Sequence, residues 1–117
     1  MDSLHIKELR ARCHLGVGEE ERREKQEVVI NITLGADLHL PSRSDRFADT
    51  VDYRAIKKRV LAAVEDSQFR LVEALAQAIA DLCLEAPGVQ QVRVEVEKPS
   101  ALRFARAVSA EITRSRD

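Results

Sequence analysis

Four polar residues stand at the ends of predicted helices and strands, where their side chains are free to meet a ligand. They are Glu21, Tyr53, Glu73 and Lys98. Together they supply two carboxylate acceptors, a phenol and an ammonium group, a set that can exchange protons with a small molecule without a metal ion. Taken singly, each residue also fits an ordinary surface position, so the hypothesis of an acid–base site depends on the whole set.

Glu73 lies in the segment Arg70–Ala80, whose apolar spacing predicts a helix. Phe69, Ala76 and Ala80 lie on the same predicted helix face as Glu73, and none of these three is a cation. Two interpretations follow. Either the carboxylate faces water in the first helical turn, where the helix dipole favours an acid, or it binds a partner that the sequence does not contain.

The histidines and cysteines do not predict a metal or redox site. His5, His14 and His39 are scattered, and Cys13 and Cys83 lack the spacing of metal ligands or of a redox pair. Both cysteines lie among apolar residues and are interpreted as buried free thiols, which suits the reducing cytoplasm. No glycine-rich nucleotide or phosphate loop is present in the sequence. We therefore expect neither a metal nor a cofactor.

The composition predicts one domain over residues 1–117 and excludes two classes of partner. The 19 basic and 20 acidic residues leave a net charge of −1, so there is no basic field for a nucleic acid. No apolar run reaches membrane-spanning length. Aromatic residues make up only 3%, which predicts a thin aliphatic core that gains burial by oligomerisation.

The first half of the chain predicts two strands joined by a polar loop. Residues 2–14 alternate apolar and polar positions, with a phase change at Lys7-Glu8 that predicts a bulge. Gly16 opens a charged stretch that we interpret as a solvated loop. Residues 27–38 form the second predicted strand, and a polar connector extends from Pro41 to Thr50.

The second half predicts two helices followed by two strands. The first helix has Asp52 as its N-cap, and the second starts at Asp66-Ser67 and stops at Pro87-Gly88. A half-buried strand around Val92–Val96 should end or bulge at Lys98-Pro99, and a last strand covers residues 108–112. The order β-β-α-α-β-β predicts an α+β fold, a largely antiparallel sheet with both helices on one face. The other face is polar and could meet water or line a barrel built from several subunits.

Four short motifs occur in order along the chain. They are Leu15-Gly16-Val17 with Glu21 and Gln26, then Asp49-Thr50-Val51-Asp52-Tyr53, then Leu71-Val72-Glu73-Ala74-Leu75-Ala76, and then Glu97-Lys98-Pro99. With them, almost the whole chain resembles the dihydroneopterin aldolase family, which includes dihydroneopterin triphosphate epimerase. The resemblance implies a tunnelling fold (T-fold), in which subunits join their sheets into a barrel. It also implies an octamer of two stacked tetrameric rings, with each pocket between neighbouring subunits.

The resemblance implies that the ligand is a dihydropterin and that Glu73 is its anchor. A pterin ring presents two parallel N–H donors, for which a carboxylate is the matching acceptor. Backbone groups near Val51 and Val72 would hold the rest of the ring edge. The partner that Glu73 lacks within the sequence would then be the substrate.

The implied reaction is the retro-aldol cleavage of dihydroneopterin to hydroxymethyl-dihydropterin and glycolaldehyde. The ring imine of the substrate accepts the electrons, so no metal and no protein Schiff base is needed. Lys98 would be the general acid/base, working through a bound water. Tyr53, supplied by the neighbouring subunit, would transfer a proton at the side-chain carbon, and Glu21 would orient the hydroxyl groups.

Two alternatives stay open. The same intermediate gives the epimer, a monapterin, if the aldehyde adds back to its other face, and a phosphorylated substrate would find candidate partners in Arg22, Arg23 or Arg103. The chain could also be an oligomer that binds pterins without chemistry.

Parts of the sequence depart from many aldolases. Gly18 replaces a bulky residue and Ser100 replaces a glycine, while residues 16–21 and 101–105 resemble the epimerase branch. We expect aldolase activity first, because it is the commoner activity and often carries epimerisation with it.

Overall fold

The computed structural model describes residues 1–99 and 101–116, which form five strands and three helices. The strands are β1 (Asp2–Leu15), β2 (Gln26–Ala36), β3 (Gln68–Phe69), β4 (Gln91–Pro99) and β5 (Ala107–Ser115). The helices are α1 (His39–Ser44), α2 (Tyr53–Glu65) and α3 (Val72–Glu85), and short 3₁₀ turns cover Glu21–Arg23 and Phe47–Asp49. Ser100, named above as a departure from many aldolases, lies outside the described residues.

The strands form one sheet in the order β3-β1-β2-β4-β5. All neighbours are antiparallel except β1 and β3, which pair in parallel through two residues each. The bulge predicted at Lys7-Glu8 is confirmed, because the register of β1 against β2 shifts between Ile6 and Leu9. Glu8 takes a φ of 54° there, and its N–H donates to Asn31 Oδ1 at 2.9 Å.

The two faces of the sheet differ as the alternation predicts. On one face, side chains of β2 and β4 are buried together with those of α2 and α3, which confirms the predicted α+β arrangement. On the other face polar groups pair across strands: Asn31 Nδ2 donates to Glu95 Oε1 at 3.4 Å, and His5 Nδ1 lies 3.1 Å from Thr33 Oγ1. The core residues at the centre of the sheet and helices are Ile30, Ile32, Leu34, Ile56, Val60, Val64, Leu75, Ile79, Val92, Val94 and Val96.

The antiparallel packing of α3 against β4 determines which residues share an end of the sheet. A turn at Pro87-Gly88 reverses the chain, so β4 runs back along α3 and finishes near the first turn of that helix. The β1–β2 connection lies at the same end, since Cys13 pairs with Gln26. We call this the Lys98 end of the sheet, and we call the end where β4 begins the Gln91 end.

Two sequence predictions are wrong in this region of the fold. The second helix begins at Val72 and not at Asp66-Ser67, because residues 68–69 form β3 on the edge of β1. Phe69 is therefore a strand residue, and its carbonyl accepts the N–H of Gly16 at 3.2 Å. Short-range pattern favours a helix here, but the free edge of β1 offers hydrogen-bond partners that a local pattern cannot show.

The connector between β2 and α2 is more ordered than predicted. It contains α1 and the 3₁₀ turn Phe47–Asp49, and β2 ends at Ala36, two residues earlier than expected. Asp37 explains the early end, because its Oδ1 accepts the N–H of His39 at 2.9 Å and so starts α1. Pro41 is tolerated in the first turn of α1, where its missing N–H leaves no helical bond unmade.

The predicted start of α2 and the predicted end of β4 are confirmed. Asp52 Oδ1 accepts the N–H of Ala55 at 3.0 Å, as an N-cap should. β4 finishes at Pro99, one residue beyond Lys98. Within residues 1–99 and 101–116, no helix is long and apolar enough to span a membrane.

Candidate active site

A buried ion pair marks the Lys98 end of the sheet. Lys98 is only 7% exposed, and among the described residues it is the one charged side chain that is buried. Its Nζ donates a hydrogen bond to Oε2 of Glu21, whose side chain remains 42% exposed. A buried ammonium group is costly unless a carboxylate accompanies it. The pair is therefore shielded from water on the lysine side and open on the glutamate side.

The loop that carries Glu21 is tied down by hydrogen bonds. Gln26 Nε2 donates to the carbonyls of Leu15 and Glu21, both at 2.8 Å. Arg22 donates to the carbonyls of Gly16 and Val17 at 2.8 and 3.0 Å. The charged stretch that we interpreted as a solvated loop is thus an ordered arch, residues 16–25, at the end of β4. Its hydrogen bonds give Glu21 a defined position.

Gly16 makes room for the Glu21 side chain. A Cβ atom at Gly16 would lie 2.3 Å from Glu21 Oε1, which is far inside van der Waals contact. Gly18, two residues on, has open space around the same position. The absence of a side chain is therefore required at Gly16 and not at Gly18.

The hydrogen bond from Lys98 holds the pKa of Glu21 below its ordinary value of 4.5, and the backbone groups of Val17 and Gly18 add to the effect against some desolvation. Because the pKa is depressed in the folded state, Glu21 stabilises the fold above its unfolded pKa, and this contribution is lost as the pH falls through the folded value. At neutral pH the group is a carboxylate with lone pairs available for a hydroxyl group or a water.

Glu73 and Val72 lie at the same end of the sheet, in the first turn of α3. Glu73 is exposed, and within the described part of the chain no hydrogen bond or salt bridge reaches its carboxylate. The two interpretations made from the sequence both survive, a solvated first-turn acid or an acceptor for a ligand. Its position in the first turn of α3, at the same end of the sheet as the Lys98–Glu21 pair, is compatible with the second interpretation.

Tyr53 and Val51 lie at the opposite, Gln91 end. Val51 is buried beside Gly88, immediately before β4, and Tyr53 is 43% exposed with its ring 6.0 Å from that of Phe47, edge to face. From Gln91 to Lys98 the strand advances about 3.3 Å per residue, or roughly 23 Å in all. Within one subunit, Tyr53 and Lys98 therefore lie towards opposite ends of the sheet and are not in contact.

The two cysteines take no part in the site. Both are fully buried free thiols, as predicted. Burial raises the pKa of Cys13, and it raises that of Cys83 to about 12, so both stay protonated at neutral pH. In the described ranges 1–99 and 101–116, no group of three or more His, Cys, Asp or Glu residues is arranged to hold a metal ion.

The fold is an α+β sheet with a buried ammonium–carboxylate pair at one end, a class of site whose groups can exchange protons with a ligand. The particular family follows from comparison with known proteins: residues 4–113 match the FolB dihydroneopterin aldolase family, and the chain belongs to that family. The match covers nearly the whole chain, so the resemblance inferred from the four motifs is confirmed.

Relatives with two activities are similar to the chain over most of its length. A dihydroneopterin triphosphate 2′-epimerase from Pseudomonas aeruginosa is 39% identical over 93% of this chain and 89% of its own. A dihydroneopterin aldolase from Streptomyces coelicolor is 41% identical over 86% of this chain and 85% of its own. Sequence identity alone does not separate the two activities.

The fold also matches a solved aldolase structure. The Escherichia coli dihydroneopterin aldolase in complex with neopterin superposes with a TM-score of 0.90 at 32% identity, over 98% of this chain and all of that one. The prediction of the tunnelling fold is confirmed.

The structure brings together Glu21 and Lys98, with Glu73 and Val72 at the same end, and separates them from Tyr53 and Val51. Sequence reasoning did not identify Arg22 as the brace of the Glu21 arch.

We expect Gly16→Ala to push Glu21 away from Lys98, because the new methyl group would occupy the position of the carboxylate. The pKa of Glu21 should then rise toward 4.5. Carboxyl titration by NMR measures this shift directly. Gly18→Ala is the matched control, since nothing lies within 4 Å of its added atom. An unchanged Glu21 pKa in Gly16→Ala would show that the arch does not depend on the missing side chain.

Proposed function

We propose that the protein is a dihydroneopterin aldolase, which cleaves dihydroneopterin to hydroxymethyl-dihydropterin and glycolaldehyde in folate biosynthesis. The observation that carries the proposal is the buried Lys98 with its partly open partner Glu21. A proton-transfer pair of this kind, in a member of the aldolase family, fits the needs of a retro-aldol reaction.

The chemistry needs proton transfers and an electron acceptor. A base removes the proton of the second side-chain hydroxyl, the bond between the first and second side-chain carbons breaks, and glycolaldehyde leaves. The bonding electrons move into the ring imine, whose nitrogen takes up a proton. Protonation of the first side-chain carbon, with loss of the proton from the ring nitrogen, then gives the product. Since the substrate itself accepts the electrons, no cofactor is required.

Each of three residues has a separate part in this scheme. Lys98 is the general acid/base and moves protons through a bound water. Glu21 orients the substrate hydroxyls and that water, for which its lowered pKa keeps it ionised. Tyr53 of a neighbouring subunit transfers the proton at the side-chain carbon.

Glu73 anchors the pterin ring. Its carboxylate sits at the helix rim with no partner among the described side chains, and a pterin edge would supply two N–H donors. The backbone at Val72, and at Val51 of the neighbouring subunit, would hold the remaining ring edge. The neopterin complex of the E. coli relative supports a pterin as the ligand class.

The separation of Tyr53 from Lys98 supports a site shared between subunits. Exposed apolar side chains occur at both ends of the sheet, with Val17 and Leu71 at the Lys98 end and Leu40 and Phe47 at the Gln91 end. Pairing β5 at the edge of one sheet with the free edge of β1 in the next would close a ring, with the polar sheet face inside. We propose two such tetrameric rings stacked as a cytoplasmic octamer.

The second candidate function is epimerisation of the dihydroneopterin side chain, because the P. aeruginosa relative is a triphosphate epimerase. Return of the aldehyde to the opposite face of the same intermediate gives the monapterin. Lys98, Tyr53 and Glu21 serve both outcomes, so product analysis has to decide between them.

Incubation of the protein with dihydroneopterin should release glycolaldehyde and hydroxymethyl-dihydropterin, with and without a metal chelator. Chromatography of the pterins, together with an aldehyde assay, measures both products. Monapterin as the main product with little free aldehyde would favour the epimerase. Binding without any turnover would identify a non-catalytic pterin-binding oligomer, and inhibition by the chelator would exclude the metal-independent mechanism.

Glu73→Gln should weaken substrate binding and affect turnover less. Loss of a hydrogen-bonded charge of this kind costs about 1.5–3 kcal/mol, or roughly 10- to 100-fold in KM. Asp81→Asn, on the exposed side of the same helix, is the charge-matched control. Steady-state kinetics separates KM from kcat. A normal KM with a reduced kcat in Glu73→Gln would contradict its role as the ring anchor.

Tyr53→Phe and Lys98→Ala should each reduce turnover strongly, by about 10²- to 10⁴-fold for a general acid or base. Co-expression of the two variants as mixed oligomers should restore about a quarter of the wild-type activity, because random rings contain interfaces with both native residues. Activity of purified, doubly tagged oligomers measures the recovery. If mixing restores nothing, Tyr53 and Lys98 do not meet across a subunit boundary.

A further inference from the structure

One side chain of β1 reaches the arch that carries Glu21. His14 is the next-to-last residue of β1, between Cys13 and Leu15, which are both buried in the core. Strand alternation therefore turns the His14 ring away from the core, and the ring is partly buried. Its Nδ1 lies 2.6 Å from the carbonyl oxygen of Arg22. A carbonyl can only accept a hydrogen bond, so the proton is on Nδ1 and the imidazole is the donor.

Hydrogen bonds, rather than apolar packing, fix the turn that contains Glu21. Within residues 1–99 and 101–116, the 3₁₀ turn Glu21–Arg23 buries none of its residues, and no side chain caps its start. Gln26, the first residue of β2, donates to the Glu21 carbonyl at 2.8 Å. His14, from β1, donates to the next carbonyl, that of Arg22. Each of the two strands that the arch connects thus holds one of two successive peptide groups.

These two contacts determine where the Glu21 side chain points. Because each peptide group is planar and rigid, holding two successive carbonyls leaves the backbone at Glu21 and Arg22 little freedom to rotate. The Glu21 side chain then leaves the backbone toward Lys98, whose Nζ donates to its Oε2. A group that orients a substrate loses much of its effect when it is displaced by about 1 Å. The hydrogen bond from His14 therefore bears on the chemistry of the site through Glu21.

We propose that His14 is a positioning residue of the active site: its Nδ1–H holds the Arg22 carbonyl and so keeps Glu21 between Lys98 and the substrate. The effect on turnover rests on the proposed function, in which Glu21 orients the substrate hydroxyls. The effect on the Glu21 carboxylate does not. Sequence reasoning treated His14 as one of three scattered histidines, because its partner is a backbone carbonyl, which has no residue signature.

The tautomer of His14 in the wild type is the first test. Nitrogen NMR spectra of the neutral imidazole should show the proton on Nδ1, because that nitrogen faces the Arg22 carbonyl. A proton on Nε2 would overturn the proposal. This measurement needs no variant, so it decides the matter even if a substitution at His14 prevents folding.

The second test compares His14→Leu with His14→Asn. Leucine removes the donor, whereas the amide nitrogen of asparagine is as many bonds from Cα as histidine Nδ1 and restores a donor. In His14→Leu the pKa of Glu21 should rise toward 4.5. Its kcat should fall by about 10- to 100-fold, with KM changed by less than about twofold. His14→Asn should recover most of both changes.

His5→Leu is the matched control, because it removes the same side chain from the same strand. The His5 ring contacts Thr33 on β2, with Nδ1 and Oγ1 3.1 Å apart, and this variant should leave the pKa of Glu21 at its wild-type value. Carboxyl titration by NMR measures the pKa in all variants, and steady-state kinetics separates kcat from KM.

An unchanged Glu21 pKa in His14→Leu would overturn the positioning role. A change that His14→Asn does not repair would also overturn it, because packing of the ring and not its donor would then be responsible. A raised pKa with an unchanged kcat would contradict the effect on turnover. Titration of Glu21 needs no substrate, so it decides the role of His14 even if the wild type turns over no dihydropterin and the proposed function fails.

Discussion

The buried ammonium group of Lys98 needs a carboxylate partner, and this requirement determines the structure of the Lys98 end of the sheet. Lys98 closes a strand whose inward residues are all valines, so its charge is tolerable only with Glu21 beside it. That requirement extends to the whole β1–β2 connection. Gly16 lacks a side chain where the glutamate packs, and Gln26 and Arg22 tie the backbone in place. Under the proposed function, the ion pair that stabilises buried Lys98 would also present the Glu21 carboxylate to the substrate.

The length of the sheet imposes a second constraint. Tyr53 and Lys98 lie towards opposite ends of the sheet. At the usual rise per residue, β4 extends roughly 23 Å from Gln91 to Lys98. Under the proposed function, the phenol and the ammonium group that act on one substrate would come from two copies of the chain. The aliphatic core and the exposed apolar side chains at both ends fit a domain that completes its burial by association. Catalysis and assembly would depend on the same contacts.

The proposed catalytic residues do not by themselves distinguish cleavage from epimerisation. Cleavage and epimerisation pass through one intermediate, and relatives with either activity are about equally similar to this chain.

The sequence by itself determined the features that a few neighbouring residues encode. The apolar–polar alternation with its phase change predicted β1 and its bulge. Asp52 predicted the start of α2, and the proline after Lys98 predicted the end of β4. The motifs around Glu21, Tyr53, Glu73 and Lys98 were sufficient to indicate the family. Only the tertiary structure decided what lies far apart in the chain. Glu21 meets Lys98 across 77 residues, and β3 exists because β1 offers a free edge. Sheet register and the reversal between α3 and β4 set those distances, and no local pattern records them.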